Sequence, residues 1–320
     1  MLRLLLDNWR MKKIIVIGCG ISGLTSGLLL AREGYEVKII AKNLPPNTCS
    51  NKAAAFWSPY YANGDRVARW AMESYFEYEK LAQIPDTGIS MTKLHRFRKK
   101  DFAEAEKWEA ATPEGKFRVM KKEDLPDEYD EGFEVDVPLI ETQIFLPWLM
   151  NEFRKAGGKI FQREIKSPDE LVEENTIMIN CSGMGARTLV NDDAMIPVKG
   201  QIVMVDLHLD IPIILVESEP TYIVQRKDGM IIGGTREENV FSETTDEETL
   251  QAILNRASKF FPEIISSKRI THWAGLRPYR NEVRLEQESN IIHNYGHGGS
   301  GFTLAWGCAK EVVKLAGEFD

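Results

Sequence analysis

The chain has 320 residues, 43% of them apolar and 28% charged, a composition typical of a globular protein with one large or two medium domains. Its net charge of -8 argues against nucleic acid as the main partner, because phosphate binding needs a basic surface. No apolar run reaches the roughly 18 residues that span a bilayer, so we expect no membrane partner.

Two further features bear on location. The four cysteines are widely spaced and form no Cys-x-x-Cys pair, which predicts a reducing, cytoplasmic compartment, no disulfide framework and no metal site. The leader MLRLLLDNWR has an apolar patch that Asp7 interrupts, too short for a secretory signal. Met11, which is followed by KKIIVIG, has the appearance of a second and more natural start of the protein. We therefore expect residues 1–10 to be an extension that adds little to the fold.

The first predicted elements form a β-α-β unit over residues 12–40. An apolar strand leads into a G-x-G-x-x-G loop made by Gly18, Gly20 and Gly23, and a helical pattern and a second strand follow. In such a loop the first glycine permits the tight turn, the second lets the backbone approach a pyrophosphate, and the third allows helix and strand to pack closely. The unit predicts a dinucleotide site with the phosphates at the helix N-terminus, beside Ile21 and Ser22.

The end of the second strand leaves the identity of the dinucleotide open. An acidic residue usually stands there to hold the adenosine ribose, but this strand ends in Ala41, Lys42 and Asn43. Lys42 would suit a 2′-phosphate, which keeps an NADP enzyme as an alternative. Asn43 could instead donate a hydrogen bond to the ribose as a neutral substitute.

The middle of the chain alternates between helical and strand patterns. Helices are predicted over residues 65–83, 143–156, 246–261 and about 300–317, with a short acidic helix at 167–174 and a hairpin that turns at Lys227-Asp228-Gly229. Residues 87–140 have the pattern of short strands and polar loops. This change in composition predicts a second domain inserted into the first.

Near the C-terminus, the stretch HNYGHGGSGFTLAWGCA places four glycines within the six positions 296–301, directly before an apolar helical run. Gly298, Gly299 and Gly301 would bring backbone N–H groups and a helix dipole against the other end of the cofactor. A flavin ring has an electron-rich edge that such a helix end would stabilise on reduction, and NADP offers no equivalent. The residues therefore favour a flavin over a purely structural turn.

With this C-terminal signature, IIHNYGHGGSG followed by GCA, the chain resembles the FAD-dependent D-amino-acid oxidases, a family that includes the D-aspartate oxidases. The resemblance extends over residues 11–317 through the first glycine loop and the stretches AAAFWSPY, PWLMNEFRKAGGKIFQREI, NCSG, GQIVMVD, GLRPYR and VRLE. It implies an α/β fold in which a Rossmann-like FAD-binding domain is interleaved with a sheet-rich α+β substrate domain. The expected FAD-binding segments are 11–60, 143–198 and 288–320, and the expected substrate segments are 61–142 and 199–287.

The resemblance also implies roles for individual residues. Arg277 matches the arginine that grips the substrate α-carboxylate, Tyr222 matches a tyrosine that contacts the same carboxylate, and the carbonyl of Gly299 matches the acceptor for the amino group. An arginine suits this role because its planar fork meets a carboxylate bidentately. The residues expected to bind FAD are Gly18, Gly20, Ile21, Ser22, Gly23, Lys42, Asn43, Thr48, Cys49, Ser50, Ala54, Ala55, Ile165, Ser182, Gly183, Gly298, Gly301, Phe302 and Thr303.

Two alternatives concern the substrate side chain. Arg236 matches the second arginine with which D-aspartate oxidases bind an acidic side chain, or it forms an exposed ion pair with the glutamates that follow it. Val224 and Phe56 would form an apolar wall that suits neutral side chains. The primary interpretation is a general D-amino-acid oxidase, and the alternatives are a D-aspartate oxidase and a glycine- or sarcosine-type flavin amine oxidase.

The implied reaction transfers a hydride from the substrate Cα to flavin N5, and dioxygen then reoxidises the flavin to give hydrogen peroxide. The imino acid hydrolyses to a 2-keto acid and ammonia. No side chain is needed as a base if the amine binds neutral, so His293 and His297 are expected to hold the glycine turn. Between Leu215 and Tyr222 the chain is shorter than in mammalian members of the family it resembles, whose extra residues form a mobile active-site lid, so the resemblance implies that this chain lacks that lid. A homodimer is left open.

Overall fold

A computed structural model of the chain describes residues 13–59, 62–99, 109–172, 175–216 and 218–319. The predicted extension, residues 1–10, lies outside the described residues. The strands are β1 Lys13–Ile17, β2 Glu36–Ala41, β3 Ile89–Arg98, β4 Phe117–Val119, β5 Glu131–Ile140, β6 Lys159–Gln162, β7 Thr176–Asn180, β8 Ile196–Val205, β9 Ile213–Val216, β10 Thr221–Arg226, β11 Gly229–Gly233, β12 Glu237–Glu238, β13 Arg269–Glu288 and β14 Ile291–His297. The helices include α1 Ile21–Arg32, α2 Val67–Leu81, α3 Thr142–Lys155, α4 Ala186–Leu189, α5 Glu247–Ala257 and α6 Gly301–Gly317.

The strands form one 14-stranded mixed sheet in the order β4-β5-β3-β9-β10-β11-β8-β13-β14-β7-β1-β2-β6, with β12 paired to β8. At one end, β14, β7, β1, β2 and β6 are parallel. Their apolar runs are buried because α1, α3 and α6 contribute to the same hydrophobic core. This is the α/β arrangement expected from the β-α-β unit, and it brings the carboxyl ends of the parallel strands to one edge.

The other end of the sheet is mainly antiparallel. Its strands show that one prediction was wrong. Residues 87–140 were expected to form short strands, but β3 and β5 are ten residues each and pair along their whole length, from Ile89 opposite Ile140 to Arg98 opposite Glu131. Their charged residues obscured the strand pattern because they pair across the sheet surface. Lys93 and His95, for example, both contact Glu134.

The long strand β13 joins the two ends of the sheet. Its first part, Arg269–Tyr279, pairs antiparallel with β8, and its second part, Arg284–Glu288, pairs with β14. The register shifts between Tyr279 and Arg284, where the strand passes from one partner to the other. The division of the chain into cofactor and substrate domains stays a prediction, and β13 is the element that a site between them would share.

Two short predicted elements, the hairpin and the acidic helix, can be compared with the structure. The hairpin turn after Arg226 is confirmed, with β10 and β11 paired from Tyr222 opposite Gly233 to Arg226 opposite Gly229. In the described part of the predicted acidic helix at 167–174, the chain forms a 3-10 turn over Pro168–Leu171, which begins with a capping box from Ser167 and Glu170. In the described part of the chain, no helix is both long enough and apolar enough to cross a membrane.

Candidate functional site

A cavity of about 600 Å³ runs along the carboxyl ends of β1, β2 and β7 to the region where β8 and β13 meet. Most of the predicted site residues line it. These are Gly18, Gly20, Ile21, Ser22, Lys42, Asn43, Thr48, Cys49, Ser50, Ala54, Ala55, Phe56, Ile165, Ser182, Gly183, Tyr222, Arg277, Gly298, Gly299, Gly301 and Phe302. Four predicted residues do not line the cavity: Gly23, Val224, Arg236 and Thr303.

The first glycine loop forms one end of the cavity. Gly18 has a φ of 114°, and a Cβ at Gly23 would lie 2.0 Å from the Gly18 carbonyl oxygen, so Gly23 closes the turn from behind the cavity. At Gly20 a Cβ would meet only Ser50 Oγ, at 2.9 Å, and that oxygen accepts a hydrogen bond from the Ile21 N–H. Gly20 therefore keeps open the space in front of the helix, where a phosphate would lie.

The second glycine turn lies on the other side of the cavity. Gly296 and Gly298 have φ values of 85° and 54°, and the Gly298 N–H donates to the carbonyl of Pro278 in β13. Thr303 lies behind the lining, where its hydroxyl donates to the Ser58 carbonyl at 2.8 Å and accepts from the Ser58 N–H. This fixes the segment that carries Ala54, Ala55 and Phe56 against α6.

Both helices that begin at the cavity have open N-termini. At α1 and α6 the N-cap residue makes no side-chain capping hydrogen bond and the first turn has no acidic residue, although the Ile21 N–H at the start of α1 donates to Ser50 Oγ. The free N–H groups and the positive end of each helix dipole remain available to negative charge. These two helix N-termini suit a ligand that has a negatively charged group near one end. They also suit one that gains negative charge on reduction near the other end.

The two histidines of the C-terminal signature are buried. The Nε2 atom of His297 lies 3.0 Å from Asn294 Oδ1, and burial lowers the pKa of His297 to about 4. His297 is therefore neutral near pH 7 and donates to Asn294, whose side-chain amide donates in turn to Ser26. His293 lies between Asn180 and Glu288, and burial lowers its pKa as well. These contacts agree with the expected role of both histidines in holding the turn.

Arg277 and Tyr222 line the cavity beside glycines. The Nη1 atom of Arg277 donates to the Thr235 carbonyl at 3.0 Å, and a Cβ at Gly200 would lie 2.4 Å from both Nη1 and Nη2. Tyr222 packs over Gly233, where a Cβ would lie 2.1 Å from its ring. Sequence reasoning missed Gly200 and Gly233 as site residues because neither belongs to a recognisable glycine loop.

One prediction about the substrate side chain needs correction, and the two alternatives for Arg236 can be compared with the structure. Val224 is fully buried in the core below the cavity, two residues along β10 from Tyr222, and does not form the wall. The apolar lining near Tyr222 comes instead from Phe56, Ile202, Leu215 and Val216. Arg236 is 44% exposed and pairs with Glu238 at 3.0 Å, which is the alternative that the sequence left open.

At the end of the cavity lined by Lys42 and Asn43, the structure adds a carboxylate that sequence reasoning missed. Glu164 follows β6, lines the cavity and accepts a hydrogen bond from Lys42 Nζ at 2.8 Å. Lys52 also lines the cavity and pairs with Glu243 at 2.8 Å. No local signal marks Glu164, because its proximity to Lys42 depends on the pairing of β2 with β6.

Comparisons with known proteins identify a family for the chain and solved structures that share its fold. A family model described as FAD dependent oxidoreductase matches residues 13–315. The chain is similar to a D-amino-acid oxidase of Rubrobacter xylanophilus, at 38% identity over 95% of this chain and 96% of the relative. It is also similar to one of Dictyostelium discoideum, at 34% identity over 94% and 90% of the two chains. The solved glycine oxidase of Bacillus cereus shares the fold, with a TM-score of 0.78 and 19% identity over 97% and 96% of the two chains.

Proposed function

The chain belongs to the FAD-dependent oxidoreductase family that includes these D-amino-acid oxidases, and from this premise we propose that it oxidises D-amino acids to 2-keto acids. The products also include ammonia and hydrogen peroxide, with dioxygen as the final electron acceptor. The observation that carries the proposal is the 38% identity to a D-amino-acid oxidase over 95% of this chain, together with the position of Arg277 in the wall of the cavity.

The residues of the cavity fit FAD. The space in front of Gly20 and the open N-terminus of α1 suit the pyrophosphate, and the open N-terminus of α6 suits the electron-rich edge of the flavin. Gly18, Ser22, Thr48 and Ser50 would line the phosphate end, and Gly298, Gly301 and Phe302 the flavin end. When bound, FAD accepts the hydride from the substrate Cα and passes electrons to dioxygen.

The protein contributes by positioning the substrate. Arg277 would hold the α-carboxylate through its planar fork, the Tyr222 hydroxyl would add a second contact, and the Gly299 carbonyl would accept from the amine. Three fixed points orient the Cα–H bond without a general base. His297 does not serve as a base in this scheme because it is buried and donates to Asn294.

We further propose a preference for neutral over acidic D-amino acids. The cavity wall near Tyr222 is apolar, formed by Phe56, Ile202 and Leu215, whereas Arg236 lies outside the lining in an exposed ion pair. A carboxylate side chain would lose water in such a pocket without gaining a cationic partner from Arg236. The link between β9 and β10 is also short, which supports a site without a lid.

The experiment that tests this function is anaerobic reduction of the purified flavoprotein, followed through the visible flavin absorbance. We expect D-alanine to bleach the flavin at least tenfold faster than D-aspartate at equal concentration. Arg277→Ala should abolish bleaching by D-alanine, while Arg236→Ala should change the rate for either substrate by less than about threefold. Faster bleaching by D-aspartate that Arg236→Ala removes would establish the D-aspartate alternative. No bleaching by either substrate would overturn the proposal.

The compartment is a separate proposal. The four cysteines are free, and Cys19, Cys181 and Cys308 are buried, which supports the predicted reducing, cytoplasmic compartment. The homodimer stays open.

A further inference from the structure

We propose that Glu164 supplies the carboxylate that binds the adenosine ribose hydroxyls of FAD, and that Lys42 positions this carboxylate. The inference rests on FAD as the cofactor and does not depend on which substrate is oxidised. It assigns a role to two residues at the adenosine end of the cavity. It also explains why the second strand can end without an acidic residue.

The geometry follows from the pairing of two parallel strands. In β2 and β6, Ala41 lies opposite Gln162, and the Arg163 N–H donates to the Ala41 carbonyl at 2.9 Å. Lys42 directly follows β2, and Glu164 follows β6 after Arg163. The two side chains therefore meet at the carboxyl edge of the sheet, where Lys42 donates a hydrogen bond to Glu164. Both line the cavity, as a residue must to reach the cofactor.

The chemistry of the two side chains distinguishes their roles. Ribose hydroxyls donate hydrogen bonds to a carboxylate, which only accepts them, whereas an ammonium group only donates. Glu164 accepts the Lys42 hydrogen bond through Oε1, and a carboxylate can accept further hydrogen bonds at both of its oxygens. The Lys42 hydrogen bond lowers the pKa of Glu164, so the carboxylate is ionised near pH 7. Lys42 is thus neutralised by a neighbour and is poorly suited to a 2′-phosphate.

The arrangement restores the usual recognition from the adjacent strand. In a typical β-α-β unit, the ribose carboxylate ends the second strand. Here the second strand provides the cation and β6 provides the carboxylate, so the carboxylate lies one strand further from the glycine loop. The side chains of Lys42 and Glu164 are 65% and 52% exposed, so substitutions there should leave the fold intact.

The test is the affinity of the apoprotein for FAD, measured by the change in flavin fluorescence on titration. Glu164→Gln should raise the dissociation constant about tenfold, because a charge-assisted acceptor is lost. Lys42→Met should raise it less, about threefold, because only positioning is lost. Glu164→Lys should weaken binding more than tenfold. Adding Lys42→Glu to that variant should restore affinity to within about threefold of the unmodified protein, because a carboxylate then ends β2.

Glu152→Gln is the matched control, since Glu152 forms an ion pair with Lys155 at 2.8 Å and does not line the cavity. It should leave FAD affinity unchanged. The inference is overturned if Glu164→Gln binds FAD within twofold of the unmodified protein, or if Lys42→Met is the more damaging change. At saturating FAD, D-alanine should still reduce every variant. Failure of the unmodified protein to be reduced would count against the proposed substrate and not against this inference.

Discussion

The guanidinium group of Arg277 lies over the Cα atom of Gly200, so close that a Cβ at Gly200 would be 2.4 Å from both Nη1 and Nη2. The guanidinium can occupy this position only if residue 200 has no side chain. The two residues lie close because β13 and β8 pair, with Arg277 opposite Val198. The same guanidinium is held by the Thr235 carbonyl at 3.0 Å. The position of the proposed carboxylate-binding group thus depends on a residue with no side chain.

Gly200→Ala should displace Arg277 and lower kcat/KM for D-alanine about 100-fold, because a misplaced anchor costs much of the orientation that catalysis needs. FAD affinity should stay within about threefold, since Gly200 lies beside Arg277 and not beside the glycine loops. Steady-state oxidation of D-alanine and FAD titration measure the two effects. Gly317→Ala, at a glycine where a Cβ would meet nothing within 4 Å, is the control. Unchanged kcat/KM in Gly200→Ala would refute the role given to Arg277.

Tyr222→Phe should lower kcat/KM for D-alanine about tenfold while leaving the free energy of unfolding nearly unchanged. The ring would keep its packing over Gly233 and its edge contact with Phe56, whose centroid lies 6.3 Å away, and only the hydroxyl contact to the carboxylate would be lost. Kinetics with D-alanine and urea unfolding measure the two quantities.

Tyr75→Phe provides a matched control, because the Tyr75 hydroxyl donates to the Asp136 carbonyl and Tyr75 does not line the cavity. It should cost about 1 kcal/mol of stability and leave kcat/KM intact. The opposite pattern, with catalysis lost in Tyr75→Phe and kept in Tyr222→Phe, would contradict the assignment.

Gly20→Ala and Gly23→Ala should separate binding from folding. A Cβ at Gly23 would meet the Gly18 carbonyl oxygen at 2.0 Å, so Gly23→Ala should destabilise the apoprotein by about 3 kcal/mol. At Gly20 only Ser50 Oγ must move, so Gly20→Ala should cost about 1 kcal/mol but weaken FAD binding at least tenfold. Urea unfolding of the apoproteins and FAD titration give the two values. Equal losses of stability would mean that Gly20 has only a structural role.

His297 should make the protein sensitive to acid. Its pKa falls from 6.5 to about 4 because of burial, so between these pH values the unfolded chain binds a proton that the folded chain does not. The free energy of unfolding should therefore fall by about 3 kcal/mol as the pH drops from 6.5 to 4, and His297 contributes no further change below that range.

Denaturant unfolding at a series of pH values measures this contribution. His297→Gln keeps an amide that can donate to Asn294 and should flatten the slope by up to about 1.4 kcal/mol per pH unit between pH 6.5 and 4. An unchanged slope in His297→Gln would show that other groups cause the acid sensitivity.

Local sequence patterns determined much of this protein. The G-x-G-x-x-G loop and the glycine turn after Tyr295 are local, because tight turns and open helix ends depend on a few consecutive residues and their backbone angles. The apolar runs of β1 and β7 likewise predict buried parallel strands without further information. For the same reason the boundaries of α6, Gly301–Gly317, lie close to the predicted range of about 300–317.

Only the tertiary structure decided which distant residues meet. Glu164 lies beside Lys42, 122 positions away in sequence, because β2 and β6 pair in parallel. Gly200 lies under Arg277 because β8 and β13 pair antiparallel, and Arg236 lies outside the cavity although its sequence context matched a substrate-binding arginine. Such relationships are set by strand register and by the direction of each side chain, and neither is a property of a short stretch of sequence.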